Sequence, residues 1–382
     1  MNATKHRRTT MLLASALAAS TATLGLIAAP PATAKPQRPP MVLTTDVLAP
    51  FQIALNSNKV YATDGFAGTF GQVSPKGAAP LVTDVPGIAG AEFTPDGKTF
   101  AYTSVNDEHT AGGLTIRTTG KADVVGDIAG HEASANPDQV NTYGIIAGSN
   151  PCAVAILGQL TGGPATYTGQ LDTNPYAVAR QGNRRHGRWL VADAGGNAVL
   201  AVSDSGKVST ALVLPPQPVT LTADMATALE TEFGAPAGSM ACLTGVTYAF
   251  EPVPTDVEVD QHGNLWISSL PGGPESAALG ARGSVYRYSP KSGNLTKVAT
   301  GFMGATDLAV HPDGTVYVTN LFGGTISKVK NGKVSTAATL DRPLAVEVHG
   351  GKLYVGQMGD IEFSESGPPV IHSPGSVQVL RR

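Results

Sequence analysis

Five carboxylates recur at two equivalent positions of a repeated strand. Glu92, Glu258 and Glu347 share one position, and Asp256 and Asp307 stand two residues earlier in their own copies. Side chains two residues apart on a strand point to the same side. If the strands line a common axis, the five carboxylates converge there. Such a set attracts a hard cation, because Ca²⁺ takes six to eight oxygen ligands in irregular geometry.

The histidines divide into two groups. His262 and His311 fall in tight turns, as does His349, and are interpreted as turn residues. His109, His131 and His372 belong to the side of the fold that carries the long connections, where one of them could act as a general base. Their spacing does not predict a catalytic pair.

The chain contains two cysteines, Cys152 and Cys242. Each lies in a long segment, one before and one after the same repeat copy. In an exported protein this placement favours a disulfide that joins the two segments, and it requires Cα atoms within about 7 Å. Two thiols without neighbouring histidines make a poor zinc site, so free or metal-binding cysteines are the weaker interpretation.

A basic cluster comprises Arg180, Arg184, Arg185, His186 and Arg188. A solvated turn is the simpler interpretation, and attachment to an acidic cell-wall polymer is the alternative. The sequence contains no Ser-His-Asp elbow, Walker loop, dinucleotide fingerprint or zinc spacing.

The elements that must position these residues are short strands in repeats. Each copy has apolar residues mostly two apart and closes with turns such as Asp-Gly or Asn-Gly, which is typical of antiparallel hairpins. The second strand of the unit occurs six times: KVYATD at 59–64, KTFAYT at 98–103, RWLVAD at 188–193, NLWISS at 264–269, TVYVTN at 315–320 and KLYVGQ at 352–357.

Four-stranded meanders with two apolar faces must stack. The sequence therefore predicts an all-β fold, a six-bladed β-propeller of four-stranded antiparallel blades. The last copy stops after the strand at 376–380, so we expect the N-terminal strand at 42–47 to complete that blade and close the ring. A seventh blade within residues 135–170 is the alternative.

The long connections all leave one side of such a disc, here called the decorated face; the opposite side is the plain face. The segments are 105–113, 135–171, 215–252, 270–283 and 357–375. Variable loops on a rigid scaffold are typical of binding sites, although they could merely cap the ring. Residues 221–233 are predicted to form a short helix with a cap at Thr222 and a stripe of Met225, Leu229 and Phe233, lying across this face as a lid.

Residues 1–34 are interpreted as a signal peptide cleaved after Ala34, with a basic start, an apolar run at 11–29 and an Ala-Thr-Ala site. An uncleaved membrane anchor is the alternative. Arg7-Arg8 hints at twin-arginine export. Residues 35–40 form a Pro-rich leader, and residues 41–382 form one domain with insertions at 135–171 and 215–252. A net charge of -3 with 14% charged residues gives no reason to expect nucleic acid or an anionic membrane as partner, and no later segment predicts a membrane span.

Several motifs together resemble the ScyD/ScyE family of exported bacterial proteins. They are NPYAVA at 174–179, VADAGGNAVL at 191–200, GKVST at 206–210, PTDVEV at 254–259, SLPGGPE at 269–275 and ATGFMGATDLAV at 299–310. That family is related to NHL-type six-bladed propellers, and its namesakes are associated with biosynthesis of the pigment scytonemin. The resemblance implies fold and export, and it transfers no catalytic residue.

Two functional hypotheses follow. The first is a secreted propeller that binds an extracellular ligand or protein on the decorated face without catalysis and without a cofactor. The alternative is an exported hydrolase or lyase whose site is the central channel. Lactonases of the gluconolactonase and paraoxonase kind place a catalytic calcium there, whereas channel carboxylates in other propellers hold water and backbone amides.

Overall fold

The computed structural model describes residues 39–182, 187–274, 278–362 and 369–381. The predicted signal peptide and most of the leader lie outside these ranges, as do Arg184, Arg185 and His186 of the basic cluster. Within the described ranges no helix is long and apolar enough to cross a membrane.

Six antiparallel sheets of four strands each, here meanders 1 to 6, form most of the described chain. The N-terminal strand is β1 (Met41–Thr44). Meander 1 contains β2 (Ile53–Asn56), β3 (Lys59–Asp64), β4 (Thr69–Ser74) and β5 (Gly77–Val82); meander 2 contains β6 (Ala91–Phe93), β7 (Thr99–Val105), β8 (Gly112–Thr118) and β9 (Val124–Asp127). Between meanders 2 and 3 lie β10 (Thr142–Ala147) and β11 (Thr166–Thr168). Meander 3 contains β12 (Pro175–Gly182), β13 (Gly187–Asp193), β14 (Ala198–Ser203) and β15 (Val208–Val213), and β16 (Gln217–Thr220) and β17 (Thr247–Phe250) follow it.

The second half of the chain continues the pattern. Meander 4 contains β18 (Pro254–Val259), β19 (Leu265–Ser269), β20 (Gly283–Ser289) and β21 (Asn294–Phe302); meander 5 contains β22 (Leu308–Val310), β23 (Val316–Asn320), β24 (Thr325–Lys330) and β25 (Lys333–Thr339). Meander 6 contains β26 (Pro343–His349), β27 (Lys352–Gln357), β30 (Ser376–Arg381) and β1. A hairpin of β28 (Asp360–Glu362) and β29 (Val370–Ser373) interrupts it.

The hairpin turns are the ones the sequence predicts. Asn331 and Gly332 join β24 to β25 with φ of 52° and 72°. Both values lie in the left-handed region that a two-residue turn of this kind needs, and Asn and Gly reach it at little cost.

Buried apolar clusters lie between successive meanders. Leu114 of meander 2 packs with Trp189 and Leu200 of meander 3, and Tyr317 of meander 5 packs with Leu353 of meander 6. Equivalent clusters join meanders 1 and 2, 3 and 4, 4 and 5, and 6 and 1. The first strand of each meander contacts the first strand of the next, and β26 contacts β2. Both faces of each meander are therefore covered by its neighbours.

The N-terminal strand pairs where the sequence predicts. β1 lies antiparallel to β30, with Met41 opposite Val379 and Val42 opposite Gln378. The strand ends at Thr44, earlier than the expected Val47, but Val47 is still buried in the cluster between meanders 6 and 1.

The two large insertions build a sheet of their own with the strand order β11-β10-β17-β16. Residues 135–170 thus supply only two strands, and the other two come from residues 215–252. The sheet is not a meander, so the alternative of a blade contained within residues 135–170 is wrong. Strand pairing across about 100 residues of sequence carries no local signal, which explains why it was not predicted.

Three α-helices occur in the described residues: α1 (Ile128–Ala135), α2 (Pro151–Thr161) and α3 (Ala223–Glu232), with 3₁₀ turns at Pro137–Val140 and Ala241–Leu243. The predicted helix is α3, and Thr222 caps it by accepting a hydrogen bond from the Met225 amide. Leu229 is buried, whereas Phe233 is exposed, so the predicted apolar stripe is only partly correct. Helix α2 was not predicted, although Asn150 and Pro151 are a recognisable helix start.

The predicted disulfide is present. Cys152 and Cys242 are bonded, with their Cα atoms 6.2 Å apart. The bridge lies beside an apolar cluster, here the insertion core, which includes Ala153, Leu157, Leu221, Ala226, Leu229, Leu243 and Leu279. The bridge and the insertion core together fix the two insertions to each other.

Candidate functional site

The long segments lie together, as the decorated face requires. The amide of Thr173, two residues after the first large insertion, donates a hydrogen bond to the carbonyl of His109 in segment 105–113. Leu279 of segment 270–283 packs into the insertion core. Met358 and Ile361 of the last segment pack against Leu321, which lies in a connection on the same side.

Exposed large apolar side chains concentrate on the decorated-face segments. Eight of the fourteen found in the described residues lie there: Val140, Ile146, Val154, Leu160, Leu171, Phe233, Val370 and Ile371. These segments are a minority of the chain, so the excess is not a simple effect of length. Exposed apolar side chains mark an interaction site when they form one contiguous patch.

His109 is a largely buried histidine of the decorated face, and its partner is the half-exposed carboxylate of Asp172. Its Nδ1 lies 2.8 Å from Oδ1 of Asp172, and only 14% of its side chain is exposed. The hydrogen bond with Asp172 raises the pKa of His109, while burial acts in the opposite direction. His131 instead bonds Thr210 and His372 bonds Glu362, both at exposed positions.

Four acids next to this pair, three of them buried and one half-buried, were not predicted from the sequence. Glu132, Asp138, Asp193 and Glu251 lie where α1, the insertion sheet and meander 3 meet, and burial raises the pKa of each, that of Asp193 to about 7. They come from four different segments, so no spacing could reveal them.

These acids have structural hydrogen bonds. Glu132 accepts from the amide of Asp172 and the hydroxyl of Thr173. Asp138 accepts from the Tyr143 hydroxyl and the Asn197 amide. The bond between Asp138 and Asn197 therefore attaches the first insertion to meander 3, and Glu132 holds the residues just after that insertion.

The five predicted channel carboxylates do come together. Desolvation by burial is the main cause that raises the pKa of Glu92 to about 8, of Glu347 to about 7 and of Asp256 to about 6. Burial also holds the pKa values of Glu258 and Asp307 well above their usual range. The charges of Glu347 and Asp256 raise the pKa of both Glu92 and Glu258. These acids come from meanders 2, 4 and 6, so first strands of different meanders bring them close together.

The two aspartates hold backbone amides of the next meander. Oδ2 of Asp256 accepts from the Leu308 amide, and Oδ2 of Asp307 accepts from the Val346 amide. Gln52, at the equivalent position of meander 1, accepts from the amides of Ala91 and Val178. This layer of the channel thus joins first strands to one another.

The three glutamates are partly open to solvent, although protein atoms surround them closely. A pocket of about 440 Å³ at the plain-face ends of the first strands opens onto two of them, Glu92 and Glu258, and is also lined by Leu55, Phe93 and Val259. Among the described residues no group of three or more His, Cys, Asp or Glu is arranged to hold a metal ion. Calcium in this channel stays an untested hypothesis.

The described members of the basic cluster are engaged within the fold. Arg180 contacts Asp204 at 2.6 Å and lies over the Trp189 ring, and Arg188 donates to Gln181. A second plain-face pocket of about 630 Å³ lies between meanders 6 and 1, lined by Asn56, Ser57, His349 and Lys352. The plain face, predicted to carry only short turns, thus holds both of these pockets.

The meanders stack with their first strands in contact with one another, which places the chain among the β-propellers. A structural genomics protein of unknown function from Bacteroides thetaiotaomicron is similar, with 12% identity and a TM-score of 0.51 over 88% of this chain and 70% of that one. This likeness shows the fold alone.

Two further solved structures share less geometric similarity. Virginiamycin B lyase from Staphylococcus aureus has 13% identity and a TM-score of 0.46 over 90% of this chain and 99% of that one. The PQQ-bound aldose sugar dehydrogenase from Streptomyces coelicolor has 12% identity and a TM-score of 0.48 over 91% and 99%. No protein-family model matches the chain, and no curated protein matches it.

Proposed function

We propose that this protein is an exported, six-bladed β-propeller that binds an extracellular ligand or protein on its decorated face without catalysing a reaction. The observation that carries the proposal is the exposed apolar surface on insertions that a disulfide and their own core hold in place. A fixed surface binds with a smaller loss of conformational entropy than mobile loops do.

In this proposal meanders 1 to 6 are the blades, and β1 closes the ring by completing the last one. The clusters between all successive meanders and the contact between β26 and β2 support this arrangement. Export rests on the apolar N-terminal segment, with cleavage after Ala34, and on the disulfide, which is compatible with an oxidising compartment. Membership of the ScyD/ScyE family rests on the sequence motifs alone.

The experiment compares two matched double variants on arrays of cell-wall fragments, extracellular glycans and exported proteins. Leu171→Ser with Phe233→Ser changes decorated-face residues that are 61% and 47% exposed. Val125→Ser with Val334→Ser changes residues 61% and 46% exposed on the outer strands of meanders 2 and 5.

Loss of about 1.5–3 kcal/mol per buried apolar side chain should weaken a decorated-face interaction at least tenfold in the first variant only. Equal binding by both variants, or loss confined to the second, would refute the decorated face as the binding surface.

The second candidate is an exported hydrolase or lyase, and two observations favour it. Five carboxylates converge in the channel, as a calcium-dependent hydrolase would need. His109, whose Nδ1 is held by Asp172, has the arrangement of a general base. Turnover of lactones or esters by the purified protein is the test of this candidate.

A further inference from the structure

Three basic side chains stand opposite one another across meander 6. His349 at the end of β26 pairs with Lys352 of β27, and Lys352 in turn pairs with Arg381 of β30. Directly opposed residues lie on the same side of a sheet, with their Cβ atoms about 4.5–5.5 Å apart. The three residues, here the basic row, are all exposed.

The basic row is unfavourable within the protein itself. Lys352 and Arg381 are like charges at directly opposed positions, which destabilises a sheet, and His349 adds a third charge when it is protonated. Within the described residues no acidic side chain forms an ion pair with a member of the row. The acid beside the row on β26 is Glu347, whose Oε1 accepts from the amide of Val348 on its own strand. The repulsion is therefore one that a bound anion would relieve.

The basic row faces meander 1. Tyr354 stands two residues after Lys352 on β27 and packs against the apolar cluster between meanders 6 and 1. Val379, two residues before Arg381 on β30, belongs to the same cluster. Side chains two residues apart on a strand share a side, so the row points the same way. Leu353, next to Lys352, packs toward meander 5 instead.

A pocket of suitable size lies on this side of the row. Its volume of about 630 Å³ is within the range of about 300–1,000 Å³ of small-molecule sites. His349 and Lys352 line it, and no acid does. The lining also includes apolar surface from Leu55, Val60 and Tyr354.

The wall supplied by meander 1 offers uncharged hydrogen-bonding groups. The Ser57 hydroxyl donates to Oδ1 of Asn56, so its oxygen can still accept. The side-chain amide of Asn58 makes no hydrogen bond within the described residues. Such groups match the hydroxyls of a sugar, and the ring of Tyr354 matches the apolar C–H groups of a sugar ring.

We propose that this pocket binds a sugar ring that carries a carboxylate, a hexuronic acid, with the carboxylate on Lys352 and His349 and the ring against Tyr354. A neutral sugar would leave the repulsion in the basic row unrelieved, and a bare anion would leave the apolar and uncharged walls without a partner. The plain-face pocket lined by Glu92 and Glu258 would repel the same ligand. The inference goes beyond the function proposed above, because it concerns the opposite face of the propeller.

Calorimetric titration of the full mature chain at low ionic strength tests the site with D-glucuronate and D-galacturonate. D-glucose and D-galactose, which carry a hydroxymethyl group in place of the carboxylate, are the neutral counterparts, and inorganic phosphate is the bare anion. We expect one uronate to bind per chain and the neutral sugars and phosphate to bind at least tenfold more weakly, since a hydrogen bond to a charged group is worth about a factor of ten or more. No binding of either uronate up to about 10 mM, equal binding of its neutral counterpart, or equal binding of phosphate would each overturn the proposal.

Variants then locate the site. Lys352→Gln should weaken uronate binding about tenfold, whereas Lys352→Arg keeps the charge and should retain most of the binding. Lys333→Gln removes a charge from an exposed lysine of meander 5, outside the pocket, and should change nothing.

The same variant tests the repulsion in the row. Lys352→Gln should leave the melting temperature equal or higher, because it removes one of the opposed like charges. Loss of binding would then not be an effect of unfolding. Undiminished binding by Lys352→Gln contradicts the assignment of the site, and a melting temperature below that of the wild type contradicts the repulsion from which it is inferred.

Two sources of the uronate are separated by a further titration with the galacturonate trimer. Tighter binding of the trimer than of the monomer identifies a polyuronide as the source, and binding of the monomer alone identifies a free sugar acid. Leu171→Ser with Phe233→Ser should leave both titrations unchanged, so failure of this inference is distinguishable from failure of the proposed function.

Discussion

Burial of the channel acids makes stability depend on pH at the scale of single residues. The pKa of Glu92 rises from 4.5 to about 8 and that of Glu347 to about 7. The folded state therefore binds these protons more tightly than the unfolded chain. Their stabilising effect is complete below about pH 4.5 and is lost as the pH rises through 7 to 8.

We expect the melting temperature to fall between pH 6 and pH 8, and Glu92→Gln to flatten this fall. Each fully shifted group should contribute about 1–2 kcal/mol over that interval. Thermal unfolding at a series of pH values measures it, with Glu362→Gln as the control that leaves the curve unchanged. A melting temperature that rises over this interval in the wild type would show that the acids are not kept protonated.

The pair of His109 and Asp172 gives a second prediction at this scale. Asp172→Asn should lower the pKa of His109, because the hydrogen bond to Asp172 is the main cause of its increase. Titration of the ring signals by NMR measures the shift. Glu108→Gln is a suitable control, since Glu108 bonds Asn106 instead and its replacement should have a much smaller effect. An unchanged pKa in Asp172→Asn would contradict the observed pairing.

The channel acids could be predicted from the sequence, whereas the acids behind His109 could not. Glu92, Glu258 and Glu347 occupy one position of a repeat. Because side chains alternate between the two sides of a strand, all three are expected to point to the same side. Glu132 and Asp193 belong to different local structures, and their proximity depends on how the first insertion folds onto meander 3.

At the scale of elements, β1 should contribute strongly to stability. Leu43 and Val47 are buried between meanders 6 and 1, and burial of such side chains contributes about 1.5–3 kcal/mol each. Deletion of residues 41–47 should therefore lower the free energy of unfolding by about 3–6 kcal/mol. Urea denaturation measures it against a control that lacks only residues 35–40, and equal midpoints for the two proteins would refute the role of β1.

The disulfide should protect the insertions more than the meanders. It closes a loop of 90 residues, which is worth about 4–5 kcal/mol in the chain-entropy model. The insertion core should keep the insertions partly folded without the bond. We expect Cys152→Ser with Cys242→Ser to fold and to be cut by protease within residues 135–171 and 215–252. Cleavage sites found mainly in the meanders would contradict this, and the reduced wild type should match the variant.

Local patterns predicted the meanders but not the insertions. The second strand and its preceding turn recur with a similar motif in each meander, so one recognised copy allows the other copies to be found in the sequence. The insertion sheet pairs Ile145 with Tyr248, residues about a hundred positions apart, and neither flanking sequence repeats. The pairing of two distant strands that are not copies of a repeat cannot be predicted from a single sequence.

At the scale of the whole molecule, the two faces differ in chemistry. The long segments carry eight of the fourteen exposed large apolar side chains of the described residues, whereas two acids, Glu92 and Glu258, line a pocket on the side of the short turns. In the proposed function, the exposed apolar side chains of the long segments contact a protein or polymer. The central claim is that the propeller binds and does not catalyse.

Turnover and metal content measured on one purified sample test that claim most directly. The sample is incubated with a panel of lactones and esters, and its calcium is determined by mass spectrometry. We expect hydrolysis at the buffer rate and far less than one calcium per chain. Stoichiometric calcium together with turnover that disappears in Glu92→Gln and Glu258→Gln would contradict the binding function and establish a hydrolase at the channel.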